Sequence, residues 1–163
     1  TALCCAANSK NSRASECIRS ILGLYPESEC SQVLSKQDLN GGTVLHRAAR
    51  SGNHDSIEAL LAVYPESERL QALNMTTHKG ETAAHCVARS NKVECIKAVL
   101  SLFPESERLL AVSMKTLKGA TVLDYMNEET RDSIMEWLSE SSSFVPDDTT
   151  TETFRCGTIN AEK

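Results

Sequence analysis

Aromatic side chains are scarce in this 163-residue chain, at 4% of the residues, although hydrophobic residues make up 40%. With so few rings, the core has to be built from Ala, Leu, Ile, Val and Cys, which suits closely stacked short helices better than a sandwich or a barrel. The sequence also contains no run of 18 apolar residues, which excludes a membrane-spanning helix. At this length the chain is still long enough to bury a core of its own.

The seven cysteines form no Cys-x-x-Cys pair, and their number is odd. This pattern fits neither a disulfide framework nor a zinc site, and Cys4, Cys5, His54 and His78 have no recognisable ligand spacing. We expect the cysteines to act as small apolar side chains in a reducing cytosol. Cys4, Cys5 and Cys86 fall at repeat positions where small buried residues belong, and Cys95 is next to Ile96, which we expect to be buried. The sequence therefore predicts no metal and no cofactor.

An excess of basic residues is missing as well, since the formal net charge is −5. This balance argues against nucleic acid as a partner, because general nucleic-acid binding needs a positive surface. The charge is unevenly spread: residues 82–120 carry six Lys/Arg and three Asp/Glu, whereas residues 121–163 carry three and ten. We expect this asymmetry to steer a partner or to draw the acidic end of the chain onto the preceding segment.

A 39-residue repeat dominates the rest of the sequence. Thr43, Thr82 and Thr121 open its copies, and residues 43–81 and 82–120 are identical at 19 of 39 positions without a gap. A fixed period of this size indicates an array of small units that bury their apolar faces against one another. Such an array presents a surface to a partner and is a poor place to look for an active-site cleft.

Each copy has the same succession of signals. A glycine turn comes first, then a Thr that suits the N-cap of a short helix, then a polar turn and a longer helix with apolar residues at i, i+3, i+4 and i+7. Ile57, Leu60 and Leu61 belong to that stripe. The segment Pro-Glu-Ser-Glu follows and favours one extra helical turn, after which the chain is expected to run extended to the next glycine turn.

This succession resembles the ankyrin repeat. Residues 43–49 read Thr-Val-Leu-His-Arg-Ala-Ala and are followed by Gly-Asn-His at 52–54, while residues 1–7 match with Cys4 in place of the His. The resemblance covers residues 1–138 and implies an all-α solenoid of about four long helix-turn-helix repeats. Two departures are the 39-residue period, longer than the usual 33 of this family, and Val44, Ala83 and Val122 in place of the proline after the Thr.

We divide the array into units 1–42, 43–81 and 82–120 and a capping unit 121–138. In the capping unit Asp124 replaces the His, and charged residues from Glu128 onward make the outer surface polar, as a terminal repeat requires. The segment 1–7 has no such polar residues on its outer surface, so we expect more protein ahead of Thr1. Residues 139–163 form an acidic, Ser/Thr-rich tail that we expect to pack on the array.

An enzyme is the second alternative to this interpretation. A thiol hydrolase would pair Cys86 or Cys95 with a histidine, but His85 and Cys86 are neighbours on one helix and point in different directions. The resemblance instead implies a structural role for His46 and His85, bonding the Thr of the cap and the next turn. The Gly41-Gly42 pair lacks the strand and lysine of a phosphate-binding loop. We therefore predict no catalytic residue.

What the resemblance implies for function is a partner protein held on the concave face by the turn tips and the ends of the first helices. The residues at these positions are Leu39, Asn40, Arg47, Arg50, Ser51, His78, Lys79, Glu81, Arg89, Ser90, Leu117 and Lys118. The Glu-Ser-Glu-Arg segments form a rival surface on the opposite side. An alternative function is a targeting arm for an enzyme or ubiquitin-ligase adaptor domain ahead of Thr1.

Long repeats with Tyr-Pro-Glu-Ser-Glu-Arg-Leu, as at residues 64–70, are similar to the ankyrin arrays of effectors that Legionella-type bacteria inject into host cells. This narrower resemblance implies delivery by type IV secretion, a virulence role, a host protein as partner and the host cytosol as the site of action.

Overall fold

The computed structural model describes residues 2–9, 11 and 13–141, and the regular structure in these residues is helical. Ten α-helices and one 3-10 helix occur in this part of the chain, without a strand. An isolated antiparallel bridge joins Lys115 and Thr121. The predicted all-α class, with turns between short helices, is confirmed.

The α-helices are α1 Ala2–Ala7, α2 Ala14–Leu22, α3 Glu27–Ser35, α4 Val44–Ser51, α5 His54–Val63, α6 Glu66–Asn74, α7 Ala83–Ala88, α8 Val93–Ser101, α9 Glu105–Ser113 and α10 Glu128–Ser141. The 3-10 helix spans Leu123–Tyr125. The helices recur in threes: a short first helix, a longer second helix and a third helix that follows the proline. The last described unit has the 3-10 helix and α10 only.

The third helix is longer than the single turn predicted from the sequence. It has nine residues in each of α3, α6 and α9, with Pro26, Pro65 and Pro104 at the N-cap positions. Two glutamates in its first turn complement the positive end of the helix dipole. A small buried face, Ala72 and Leu73 in α6, adds tertiary packing that extends the helix beyond its first turn.

Stacking of equivalent helices builds one continuous core. The first helices pack in the order α1, α4, α7, and the second helices in the order α2, α5, α8, α10. Ile18, Ile57 and Ile96 occupy the same position of successive second helices and are completely buried. The predicted apolar stripe therefore faces the interior.

The cysteines follow the expectation only in part. Cys86 and Cys95 are buried, as expected, but Cys4 is half-buried and Cys5 is exposed. The expectation for Cys5 was wrong because α1 is packed against α2 and α4, while no described element covers its outer side. No cluster of three or more potential metal ligands occurs among the described residues.

The capping unit ends later than its predicted boundary at residue 138, since α10 continues to Ser141. Its outer side is polar, with Glu128, Glu129 and Glu136 exposed, whereas Ile134 and Leu138 are buried. The predicted packing of the tail through Phe144, Val145, Phe154 and Ile159 lies outside the described residues. None of the described helices is both long enough and apolar enough to cross a membrane.

Candidate partner-binding surface

Three five-residue turns project from the array ahead of Thr43, Thr82 and Thr121, and we call residues 38–42, 77–81 and 116–120 the fingers. Each finger is closed by two backbone hydrogen bonds; in the first, Asp38 N donates to Gly42 O and Gly41 N to Asp38 O, both at 2.9 Å. The first side chain of the finger accepts further bonds, since Asp38 Oδ1 lies 2.8 Å from Asn40 N and 3.0 Å from Gly42 N. Thr77 provides the same acceptor in the second finger.

Neighbouring fingers are joined to each other by their backbones. His78 N donates to Asn40 O at 2.9 Å, and Leu117 N donates to Lys79 O at 3.0 Å. Gly41 makes this approach possible: its φ is +74°, and a Cβ there would lie 2.6 Å from Cδ2 of His78. The fingers therefore line up in a fixed row with equivalent residues side by side.

A buried histidine in each of the second and third units bonds to the segment that leads into the next finger. Nε2 of His46 lies 2.9 Å from the carbonyl oxygen of Met75, and Nδ1 lies 2.8 Å from Thr43 Oγ1 and 3.2 Å from Thr43 N. A carbonyl oxygen only accepts, so Nε2 carries the proton and Nδ1 accepts from Thr43. Burial lowers the pKa of His46, which keeps the ring neutral. This arrangement gives His46 the structural role that the resemblance implied.

The third unit, residues 82–120, repeats this arrangement with different partners. His85 bonds Thr82 through Nδ1 and Met114 O through Nε2, the latter at 2.9 Å, and burial likewise lowers its pKa. In the capping unit Asp124 takes the place of the histidine, and Thr121 N donates to it at 2.7 Å. Asp124 caps the short helix but does not reach a following finger.

The geometry does not support a thiol nucleophile next to these histidines. Burial raises the pKa of Cys86 to about 12 and also raises the pKa of Cys95, so both thiols are protonated at neutral pH. Both ring nitrogens of His85 are already bonded to Thr82 and Met114. His85 therefore has no free nitrogen with which to activate a thiol.

A cleft of about 160 Å³ lies between the first two fingers. It brings together six of the predicted binding residues and five others: Asn40, Arg47, Arg50, His78, Lys79 and Glu81, together with Asp38, Gly42, His46, Thr77 and Cys86. Arg47 forms an ion pair with Asp38, and its Nε lies 2.9 Å from Oδ2. Arg50 and Lys79 are exposed and take part in no ion pair within the described residues. The cleft therefore carries positive charge that the surrounding residues do not neutralise.

Two of the predicted binding residues, Glu81 and Arg89, interact with each other. They form an ion pair, and Glu81 is 7% exposed. The guanidinium of Arg89 also lies 4.5 Å from the ring centroid of Tyr125, whose hydroxyl lies 3.5 Å from Glu81 Oε1. These contacts join the second finger to the capping unit, so Arg89 is held by internal interactions.

Ser51 and Ser90 lie where neighbouring units meet. Ser51 is 5% exposed, and its hydroxyl donates to Ala48 O at 2.8 Å. The hydroxyl of Ser90 donates to Val87 O at 2.7 Å, and its Cβ would lie 2.8 Å from a Cβ added at Gly52. Both serines lie at or just after the end of the first helix of their unit, where their hydroxyl groups are bonded within the array.

The tips of the fingers are the most exposed predicted residues. Leu39 is 97% exposed and Leu117 is 80% exposed, and His78 stands between them in the row. Lys79 and Lys118 occupy the next position of their fingers, and both are exposed. The row thus alternates exposed leucine with basic side chains beside the cleft.

Sequence reasoning missed two residues of this surface, Asp38 and Tyr125. Asp38 stands at the repeat position occupied by Thr77 and Thr116, and the shared ability to accept a hydrogen bond was the available signal. Tyr125 occupies the position of Arg47 and Cys86, four residues after the Thr. No sequence signal pairs it with Arg89, because that contact depends on the stacking of two units.

The rival surface on the third helices has a structural task. Nε of Arg69 donates to Leu61 O at 3.0 Å and to Tyr64 O at 3.2 Å, and Arg108 bonds Phe103 O in the same way. Cys30, at the same repeat position, points its thiol at Leu22 O. The repeated Arg is therefore explained by the carbonyl groups left unpaired at the end of the second helix.

Comparison with known protein families gives one match. The family model of the ankyrin repeat matches residues 40–66, which include the tip of the first finger, α4 and α5. No curated protein matches the chain. The match supports an ankyrin-repeat protein, a kind of protein that serves as a protein–protein interaction module.

Proposed function

We propose that this array binds a partner protein through its fingers and the adjoining cleft, and that the bound segment presents an acidic side chain flanked by apolar ones. The observation that carries the proposal is the cleft between the first two fingers, in which Arg50 and Lys79 lack a carboxylate partner. The array itself performs no chemistry in this proposal.

The positive charge of the cleft favours the binding of an acidic group. Its two carboxylates, Asp38 and Glu81, are already paired with Arg47 and Arg89, so the remaining positive charge of Arg50 and Lys79 is available to a partner. Its volume of about 160 Å³ is below the range of roughly 300–1,000 Å³ that is typical of small-molecule sites. A single carboxylate side chain of a protein suits the cleft better than a metabolite.

The tips of the fingers supply the apolar part of the surface. Leu39 and Leu117 are large apolar side chains with nearly full exposure, and they flank the basic residues of the row. The backbone bonds between fingers hold these tips in place before a partner arrives, which lowers the entropic cost of binding. Apolar contacts would supply affinity, while the basic residues would select and orient the partner.

A charge-reversal experiment tests the proposal. Proteins captured by the wild-type chain are compared with those captured by an Arg50→Glu, Lys79→Glu variant, which reverses both uncompensated charges. Arg89 is left unchanged, because its reversal would also break the contacts with Glu81 and Tyr125. A Glu66→Lys, Ser67→Lys variant serves as the control, since both residues are exposed on the third helix.

We expect one captured protein to be lost by the finger variant and kept by the control, with both variants melting like the wild type. If only the control variant failed to capture the protein, the interface would lie on the third helices instead. Capture that is unchanged by either variant would contradict the proposal for the fingers.

A more specific proposal is that the array acts inside a host cell. The similarity of residues 64–70 to effector repeats leads us to propose a secreted effector that binds a host protein, either alone or as the targeting arm of a larger protein with an enzyme or ligase-adaptor domain. A translocation reporter fused to the chain, expressed in a bacterium with and without its type IV secretion system, tests this point. A reporter signal in host cells only when the system is intact is the expected result, and no signal in either strain would contradict it.

A further inference from the structure

A groove of about 560 Å³ runs along α5, between α2 and α8, and no finger residue lines it. Its apolar lining is formed by Ile57, Leu61, Ala62, Ala98 and Leu102, and two arginines, Arg19 and Arg69, lie at the same groove. Unlike the cleft between the fingers, the groove has a volume within the range of roughly 300–1,000 Å³ that is typical of small-molecule sites.

Arg69 presents a fixed guanidinium to this groove. Its Nε donates to Leu61 O at 3.0 Å and to Tyr64 O at 3.2 Å, which holds the half-buried side chain in one position. Its two terminal amino groups donate to no acceptor and pair with no carboxylate within the described residues. A guanidinium held in this way is prepared to bind a carboxylate through both amino groups at once.

Arg108, at the same position of the next unit, shows how the chain itself completes such a guanidinium. One amino group donates to Ser101 O at 3.3 Å, and the other lies 3.9 Å from Oε1 of Glu105. The indole ring of Trp137 covers the guanidinium, with 5.4 Å between its centroid and the central carbon. A carboxylate and an aromatic ring are therefore the groups that complete this arginine.

The chain does not supply either group to Arg69. Glu66 stands at the position of Glu105 but forms no ion pair among the residues that the structure describes. The next helix in the stack, α8, places Ala98 and Leu102 at the groove, and no described aromatic ring lies over Arg69. The groove thus adjoins an arginine that lacks the two partners of its equivalent.

We propose that this groove binds a small aromatic carboxylate. The carboxylate accepts from the two amino groups of Arg69, and the ring lies on the face of the guanidinium and on the apolar lining, as the ring of Trp137 lies over Arg108. Arg19 adds a second positive charge. The groove also has one carboxylate, Glu58, which is 3.7 Å from Nε2 of His54, so two guanidinium groups stand against one acidic group.

Indole-3-propionate is the probe that tests the proposal, because it joins an indole ring to a carboxylate. Its neutral amide, indole-3-propionamide, is the matched control ligand. Each is titrated into the isotopically labelled chain to about 10 mM while the backbone amide resonances are followed by NMR. We expect saturating shifts in α5 and α8 with a Kd of about 1 mM or tighter, as is typical of a ligand of this size. The amide should bind at least about tenfold more weakly, because it carries no charge for Arg69.

Two variants test the groove itself. Arg69→Lys keeps the charge but loses the paired amino groups, and Ala62→Trp fills the groove from an exposed position. Each should weaken the binding of indole-3-propionate by about tenfold or more. Arg69→Lys also loses the bonds to Leu61 O and Tyr64 O, so its melting is measured, whereas Ala62→Trp leaves those bonds in place.

A matched pair of variants tests the second positive charge. Arg19 and Lys97 occupy the same position of their second helices, but only Arg19 lines the groove. Arg19→Gln should weaken binding by about twofold to fivefold, as expected for an exposed charge, and Lys97→Gln should leave it unchanged.

The absence of saturable shifts in the native chain would overturn the proposal, as would equal affinity for the acid and the amide. Equal affinity of the native chain and Ala62→Trp would place the ligand outside the groove and would overturn it as well. A blocked peptide with adjacent Glu and Trp is the last comparison. Binding of this peptide without binding of indole-3-propionate would also contradict the proposal, because a protein segment would then be the occupant.

Discussion

At the scale of single residues, two neutral imidazoles hold the units together. His46 and His85 each use both ring nitrogens, one within the cap of their own helix and one toward the carbonyl group of a residue 29 positions later. A protonated ring could not accept from Thr43 or Thr82, so the arrangement depends on the neutral form.

We predict that the free energy of unfolding falls as the pH drops below about 6.5, the ordinary pKa of histidine. Burial lowers the pKa of His46 and His85 in the folded state, so the unfolded chain binds protons that the folded chain does not. The stabilisation is complete above the unfolded pKa and is lost as the pH falls from that value through the lower pKa of the folded state. Urea unfolding between pH 7 and pH 5 measures the slope.

An exposed histidine provides the control for this pH dependence. His78→Gln should retain the slope, whereas a His46→Gln, His85→Gln variant should be less stable at pH 7 and should lose most of it. An identical slope in the wild type and the double variant would show that other groups titrate in this range.

Ile57 and Ile96 test the packing of the second helices. Both are completely buried, and we predict that Ile57→Ala or Ile96→Ala lowers the free energy of unfolding by about 2–4 kcal/mol through lost burial and the cavity left behind. Glu58→Ala, at an exposed position on the same helix as Ile57, should change it by less than about 0.5 kcal/mol. Thermal or urea denaturation compares the three, and equal stability would contradict the packing.

At the scale of elements, the sequence predicted the helices whose signals are local and missed the length of the helix that depends on its surroundings. The capping Thr, the turn glycines and the stripe that includes Ile57 and Ile96 sufficed to predict the first two helices of each unit. The third helix buries only a small face, such as Ala72 and Leu73, so its periodicity is weak. The sequence assigned the candidate binding residues by repeat position alone, whereas the pairing of Arg89 with Tyr125 depends on the stacking of two units.

We predict that Arg69→Met destabilises the protein by about 1–3 kcal/mol, because the carbonyl groups of Leu61 and Tyr64 lose their bonds to the guanidinium. Methionine keeps much of the apolar stem, so the lost hydrogen bonds dominate the effect. Arg13→Met, an exposed arginine of the first unit, is the control and should have little effect on denaturant unfolding. Equal stability of the two variants would show that Arg69 is a mere surface residue.

Two glycines allow the cost of a left-handed backbone conformation to be measured apart from the cost of a steric clash between fingers. Gly80 and Gly119 have φ of +74° and +79°, but a Cβ at Gly80 would lie 2.9 Å from Leu117 N, whereas one at Gly119 would meet nothing within 4 Å. We predict that Gly119→Ala costs about 1–2 kcal/mol, the cost of the left-handed conformation, and that Gly80→Ala costs clearly more. Urea denaturation of both variants gives the comparison, and an equal loss would mean that the second and third fingers separate without cost.

At the scale of the whole molecule, the units contribute to a single core, and the two ends of that core differ. Ile18, Ile57, Ile96 and Ile134 are all completely buried, one in each successive second helix. The acidic α10 closes one end, and exposed Leu109 and Leu110 lie on the neighbouring α9.

We predict that removal of residues 142–163 lowers the melting temperature and speeds hydrogen exchange over residues 92–118. The tail would contribute mainly through Phe144, Phe154 and Ile159, because exposed ion pairs stabilise by only about 0–1 kcal/mol each. Truncation after Ser141 keeps α10 whole, so the loss would not come from the capping helix. Identical melting and exchange in the truncated chain would place the tail away from the array.

The equal spacing of the fingers has a genetic consequence. Because the second and third units align over 39 residues without a gap and meet their neighbours through equivalent contacts, a tandem duplication of 39 codons within these two units preserves the register of the array. The gene can thus lengthen or shorten the array by recombination between its own repeats, and each event adds or removes one finger with its own tip. New combinations of tip residues can arise in this way without a new fold.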